Sequence, residues 1–175
     1  MQSILQQDLL RQEGPITLLP PYHHNMAKHY CTRRTTSSSD PVLLPRYSSR
    51  LFRSSFITCF SVIGALCTGL WGCAFVVFVV LLTSLNYWRD PVTGWRRSAD
   101  MTSVIGAATY HIYYCAVVCH KPLVQVLYVL VVANSGYCYL QARKARDQNV
   151  SSAWHCGLHL LSNAANVLLY LGVSM

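Results

Sequence analysis

The sequence has few charged residues. Asp, Glu, Lys and Arg together make up 11% of its 175 residues, against about 25% in an ordinary soluble domain. Acidic residues are the fewest, at six, and residues 54–88 contain no charged side chain. A soluble domain of this length needs more charge to cover its surface. With 53% hydrophobic residues, the composition is that of a membrane protein.

Other features that the sequence lacks exclude further classes of protein. The apolar runs lack period-two alternation, which excludes a membrane barrel and favours helices. No apolar segment follows Met1, so no secretory signal is expected. The net charge of +8 comes from residues in the N-terminal segment and between the apolar runs, where they are expected to meet lipid headgroups, not nucleic acid. Seven of the eight cysteines lie inside apolar runs and act there as small hydrophobic residues.

The sequence predicts an all-α integral membrane bundle of four transmembrane helices behind a disordered N-terminal tail. The tail covers residues 1–53, which are basic and rich in Pro, Ser and Arg; a loose similarity to an organelle transit peptide leaves its targeting and the organelle open. The membrane domain covers residues 54–175. Its spans are placed at roughly 56–86, 101–119, 123–142 and 150–173, since about 20 residues cross the hydrocarbon core.

This arrangement predicts a topology. With four spans, loops 90–99 and 143–149 lie at one face of the membrane, and the N-terminal tail, residues 120–122 and the C-terminus lie at the other. The basic residues then divide almost evenly between the two faces, so the positive-inside rule leans only weakly towards cytosolic loops.

Polar residues within the spans follow helical stripes. Asp100, Ala107, His111 and Cys115 share one face of the second span, and His155, His159, Asn163 and Asn166 share one face of the fourth. Polar groups are costly in hydrocarbon and therefore mark functional positions or hydrogen bonds between helices. Both interpretations remain open from the sequence alone.

Two histidines four residues apart on one helix can bind the same metal ion, and His155 and His159 have this HxxxH spacing. A zinc site needs a third protein ligand, for which His111 is the first candidate and Asp100 the second. A bis-histidine haem site is a further alternative, with His111 facing His155 or His159. Depth along the helices permits convergence of the three imidazoles but does not require it.

The pattern Ser84, Asp100 and His155 with His159 resembles the superfamily of alkaline ceramidases and adiponectin/progestin-receptor-like membrane proteins. The resemblance covers only these positions. It implies zinc as cofactor and hydrolysis of a lipid amide or ester, with Ser84 and Asp100 as the catalytic pair. The family's third histidine follows the serine by one turn, and Trp88 stands there.

Two functions follow. The first is a structural, interaction or complex-subunit role for a small multi-pass membrane protein with a buried polar face, whose partners are the lipid bilayer and other membrane proteins or a second copy. The alternative is an intramembrane zinc-dependent lipid hydrolase. The sequence leaves open whether the protein is an enzyme.

Overall fold

The computed structural model describes residues 42–174, all of which belong to one compact unit. The predicted disordered tail lies mostly outside these residues. The described chain is helical throughout apart from short connections, and it contains no extended sheet. Its helices are α1 (Pro45–Ser55), α2 (Thr58–Cys67), α3 (Trp71–Trp88), α4 (Trp95–Val117), α5 (Pro122–Lys144) and α6 (Gln148–Ser174).

The predicted fold class, an all-α membrane bundle, is confirmed. Four helical segments of the described chain are long and apolar enough to cross a membrane: Pro45–Cys67, which joins α1 and α2, then Trp71–Trp88, Pro122–Lys144 and Gln148–Ser174. The predicted third and fourth spans fall within α5 and α6. Residues 101–117 of the predicted second span belong to α4, and residues 118 and 119 follow its end. Helix α4 is not among the four, because Arg96, Arg97, Asp100 and several hydroxyl side chains lower its hydropathy.

The single first span predicted over residues 56–86 is wrong. Thr68 and Gly69 end α2, and α3 runs back beside α1 and α2. Gly69 has a φ of 72°, the left-handed conformation that favours glycine. Its N–H donates to Leu66 O at 3.1 Å, and the Leu70 N–H donates to Ala65 O at 2.8 Å. These two bonds form a Schellman motif, which stops the helix and reverses the chain.

The hairpin also corrects two predictions. The helical domain begins before residue 54, and its N-terminal end lies at the same face as loops 90–99 and 143–149. Helix α1 begins at Pro45, within the predicted tail, and packs its Leu51 against Tyr87 and Trp88 at the end of α3. The Val42 N–H donates to Pro91 O at 2.8 Å. Residues 42–44, 89–94 and 145–147 therefore lie together at one end of the bundle, called the loop face below. Residues 68–70, 118–121 and the end of α6 form the opposite face.

The helices pack in an open arc. Helix α3 lies between α4 and the α1–α2 segment, and α6 lies between that segment and α5. Near the opposite face, a core of mostly small and aromatic side chains joins α2, α3, α4, α5 and α6: Ala65, Cys73, Ala74, Cys115, Cys119, Tyr128, Ala165, Leu169 and Tyr170. Small residues at these contacts let the helix backbones approach closely, as membrane helices require.

Candidate functional site: polar pairs between the helices

Ser84 and Asp100, the predicted catalytic pair, are brought together. Ser84 comes from α3 and Asp100 from α4, both are buried, and the Ser84 hydroxyl donates to Asp100 Oδ1 at 2.5 Å. One turn deeper, the hydroxyl oxygens of Thr83 and Ser103 lie 2.6 Å apart. The two contacts fasten the loop-face end of α4 to α3. Because the Asp100 oxygen accepts the serine proton, this geometry orients the hydroxyl towards the carboxyl group.

His111 lies far from this pair along α4. Its Nδ1 is 2.7 Å from the carbonyl oxygen of Ala107 and its Nε2 is 2.7 Å from the hydroxyl of Tyr170. A carbonyl oxygen only accepts, so Nδ1 carries the proton and Nε2 accepts from Tyr170. Both ring nitrogens are therefore used. The bond from Tyr170 joins α4 to α6 inside the core near the opposite face.

His155 and His159 lie at the loop-face half of α6. Their rings are 5.0 Å apart, and the His155 ring also contacts the indole of Trp88 at 5.1 Å. His159 Nδ1 lies 2.8 Å from the Ser54 hydroxyl of α1. The HxxxH spacing thus does place two imidazoles side by side, as the sequence predicts, and they face the ends of α1 and α3.

The three predicted zinc ligands do not meet. His111 is hydrogen-bonded to Tyr170 of α6, and His159 precedes Tyr170 by eleven residues on that helix. Eleven residues correspond to roughly 16 Å at about 1.5 Å per residue. Trp88, an indole, occupies the position beside His155. Across residues 42–174, no three His, Cys, Asp or Glu side chains are grouped so that they could hold a metal ion. The residues present therefore do not fit a three-ligand zinc site, and the same separation applies to haem.

Asn163 is the third member of the predicted polar stripe of α6, and the fourth, Asn166, is half-buried. Its side-chain oxygen accepts from the Ser61 hydroxyl at 2.6 Å, and its Nδ2 donates to His159 O at 2.7 Å and to Thr58 Oγ1 at 3.3 Å. The predicted stripe of α4 is confirmed as well, since Asp100, Ala107, His111 and Cys115 are its buried residues. Every buried side-chain nitrogen or oxygen in residues 42–174 has a hydrogen-bond partner.

Sequence reasoning missed the partners of these residues. Ser54, Ser61 and Thr58 belong to α1 and α2, which the sequence assigned to a tail and to a single long span. A signal was present, because Ser54, Thr58 and Ser61 recur at i, i+4 and i+7, the spacing of one helical face. Tyr170 was missed because a tyrosine near the end of an apolar helix normally indicates an interfacial residue.

Burial raises the pKa of Asp100, and the hydrogen bond from Ser84 opposes that rise only in part. Asp100 precedes the predicted span 101–119 at the loop-face end of α4. A carboxyl with a raised pKa contributes stability that is complete below its unfolded pKa and is lost as pH rises through its folded pKa. The Asp100→Asn variant, which cannot ionise and keeps an oxygen for Ser84, is therefore expected to unfold at a higher temperature than wild type at neutral pH.

This advantage is expected to shrink as the pH is lowered, and thermal unfolding of detergent-solubilised protein across pH measures it. Asp90→Asn is the matched control, because Asp90 is exposed and pairs with Arg96 at 3.5 Å. A stability gain from Asp100→Asn that is independent of pH would contradict this account of the carboxyl group.

Comparisons with protein-family models, curated proteins and solved structures found no match to this chain. The observations therefore assign the chain to a class by its helices alone: residues 42–174 form an α-helical bundle with four segments apolar enough to span a membrane.

Proposed function

We propose that the chain is a multi-pass membrane protein that acts as an interaction subunit, with another membrane protein packed against α4. The observation that carries the proposal is that α4 is as exposed as α5, with four buried residues in each, but is less apolar than α5. Only Asp100, Ala107, His111 and Cys115 of α4 are buried. Most of the remaining surface faces outward, although α4 is less apolar than the four segments that qualify as spans.

The exposed surfaces of α3 and α4 differ in chemistry. On α3, the outward residues Trp71, Phe75, Phe78 and Leu82 recur at helical spacing and form an apolar stripe suited to lipid. On α4, one outward face combines Thr102, Gly106 and Thr109 at i, i+4 and i+7. An added Cβ at Gly106 would meet no atom within 4 Å, so the space beside it is open for a neighbouring helix. Small and hydroxyl residues are enriched where membrane helices pack.

The polar residues inside the bundle support the same proposal. Ser84 with Asp100, His111 with Tyr170, and Ser54 with His159 are each paired across a helix interface. In membrane proteins such contacts contribute about 0.6 kcal/mol on average and up to roughly 1.7 kcal/mol. This use of the side chains is structural, and it holds the bundle that presents α4.

Site-specific photo-crosslinking in native membranes tests the proposal. A benzophenone amino acid at Ile105 of α4 is expected to yield a discrete protein adduct, because Ile105 is exposed beside the open face of Gly106. Phe75 of α3 is the matched control, since it is similarly exposed on the apolar stripe. It is expected to yield lipid adducts. Lipid adducts from both positions would contradict the proposal.

The second candidate function is the zinc-dependent lipid hydrolase, and the adjacency of His155 and His159 favours it. With His111 paired to Tyr170, a zinc ion beside these two histidines would have two protein ligands, one fewer than a catalytic zinc site uses. Equimolar zinc in the purified protein, lost in a His155→Ala/His159→Ala variant that still folds, would favour the hydrolase over the interaction subunit.

A further inference from the structure

Basic residues are distributed very unevenly between the two ends of the bundle. The hairpin at Gly69 brings the N-terminal end of α1 to the loop face, and with it Arg46, Arg50 and Arg53. The loops and helix ends of this face supply the other six: Arg89, Arg96, Arg97, Arg143, Lys144 and Arg146. At the opposite face, Lys121 is the one Lys or Arg of residues 42–174.

Acidic residues do not neutralise this end. The described residues include three acids, Asp90, Asp100 and Asp147. Asp90 pairs with Arg96, Asp100 is buried against Ser84, and Asp147 accepts from the Asn149 N–H at 2.7 Å. Nine cations against three carboxyl groups leave the loop face strongly positive.

The arginines of α1 are arranged to face outward. Arg46, Arg50 and Arg53 recur at i, i+4 and i+7, which is one face of the helix, and all three are exposed. The opposite side of α1 is buried against the bundle through Tyr47 and Leu51. Arg50 also donates to Ser152 Oγ at 3.1 Å, which anchors this face of α1 to the start of α6.

Aromatic residues place this charge at the depth of the lipid headgroups. Trp95 is exposed at the start of α4, and Tyr137 forms an edge-to-face pair with Trp154 at 5.9 Å between α5 and α6. Exposed Trp and Tyr rings concentrate at the membrane–water interface. Arg97 and Lys144 lie within one or two turns of these rings, so their cationic groups reach the headgroup layer.

We propose that the loop face is the cytosolic face and that its exposed Lys and Arg side chains bind the anionic headgroups of the cytosolic leaflet. Short loops rich in Lys and Arg remain on the cytosolic side during insertion. That leaflet carries the anionic lipids, and each basic residue near its surface adds an attraction that corresponds to about a fivefold increase in local binding. The inference does not depend on whether a protein covers α4.

Nanodiscs of phosphatidylcholine containing a minor fraction of phosphatidylserine test the binding. Native mass spectrometry of the released protein is expected to show retained phosphatidylserine above its share of the bilayer. Arg53→Gln, Arg97→Gln and Lys144→Gln are each expected to lower this enrichment, by up to about fivefold, and added salt is expected to lower it in wild type. Lys121→Gln is the matched control and is expected to lower it least, because Lys121 is the one Lys or Arg of residues 42–174 at the opposite face.

Equal enrichment in wild type and in the combined Arg53→Gln/Arg97→Gln/Lys144→Gln variant would overturn the headgroup contact. Crosslinking in native membranes that finds an acidic protein, and not lipid, at this face would also overturn it. Orientation is read separately with a membrane-impermeant maleimide and single cysteines at Thr93 or His120, both in exposed connections. In the protein used for labelling, Cys31 is replaced by serine. So are the described cysteines that are not buried: Cys59, Cys67 and Cys156. Labelling of the Thr93 position from the non-cytosolic side would overturn the orientation.

Discussion

The Gly172→Ala variant is expected to lose about 1–3 kcal/mol of stability, the usual cost of inserting a group into a packed interface. A Cβ at Gly172 would lie 2.5 Å from Val124 Cγ1 and 3.1 Å from Val124 Cβ. These atoms belong to a short branched side chain that cannot turn away, so α5 and α6 must separate. Unfolding of the detergent-solubilised protein by SDS or heat measures the loss.

Gly106→Ala is the matched control, because an added methyl group there meets no atom within 4 Å. It is expected to be neutral or stabilising, since alanine is favoured over glycine in a helix by up to about 1 kcal/mol. Val124→Ala is expected to restore much of the stability of the Gly172→Ala variant by removing the clashing methyl groups. A Gly172→Ala variant as stable as wild type would contradict the close approach of α5 and α6.

The Tyr170→Phe variant is expected to destabilise the bundle by about 1–3 kcal/mol, the cost of leaving a buried acceptor without its donor. Tyr170 is fully buried and His111 is 1% exposed, so water does not replace the lost hydroxyl at His111 Nε2. The effect exceeds that expected for an average polar contact between membrane helices because both partners lie inside the core.

Tyr137→Phe is the control for this change, because Tyr137 is half exposed and contacts Trp154 through its ring. A double-mutant cycle with His111→Leu isolates the pairwise term. The Tyr170→Phe change is expected to cost little once His111 is absent. Full additivity of the two substitutions would indicate that the hydroxyl and the imidazole do not interact in the folded protein.

Much of the bundle follows from the sequence because long apolar runs leave helices as the only solution in lipid. Helices α5 and α6 were predicted nearly to their ends. For α5, Pro122 marks the start, and Arg143, Lys144 and Arg146 mark the end. The stripe of Asp100, Ala107, His111 and Cys115 was predicted correctly because a helix fixes which side chains share a face.

The hairpin was not predicted, because its turn is nearly as apolar as the helices around it. Thr68 and Gly69 are the one polar residue and the one glycine at the break, and glycines also occur within helices, as at Gly72 and Gly106. The length of the apolar run was the better signal of a hairpin, because the 33 residues from Phe56 to Trp88 exceed the roughly 20 that one crossing needs.

The candidate site was predicted in part. Ser84 and Asp100 were named together and are in contact, and His155 and His159 are adjacent as their spacing requires. His111 was assigned to the same site although sequence spacing fixes position along one helix only. The depth of one helix relative to another depends on loop lengths and on contacts such as that of His111 with Tyr170.

The Schellman turn at Gly69 determines whether the chain crosses the bilayer an odd or an even number of times before residue 89. If residues 56–88 formed one continuous rod, the chain would pass through one time fewer before residue 89. Arg89, Arg96, Arg97 and all later connections would then emerge in the other compartment relative to α1. One reversal in the middle of an apolar run thus decides, for the entire downstream sequence, which aqueous phase each connection meets.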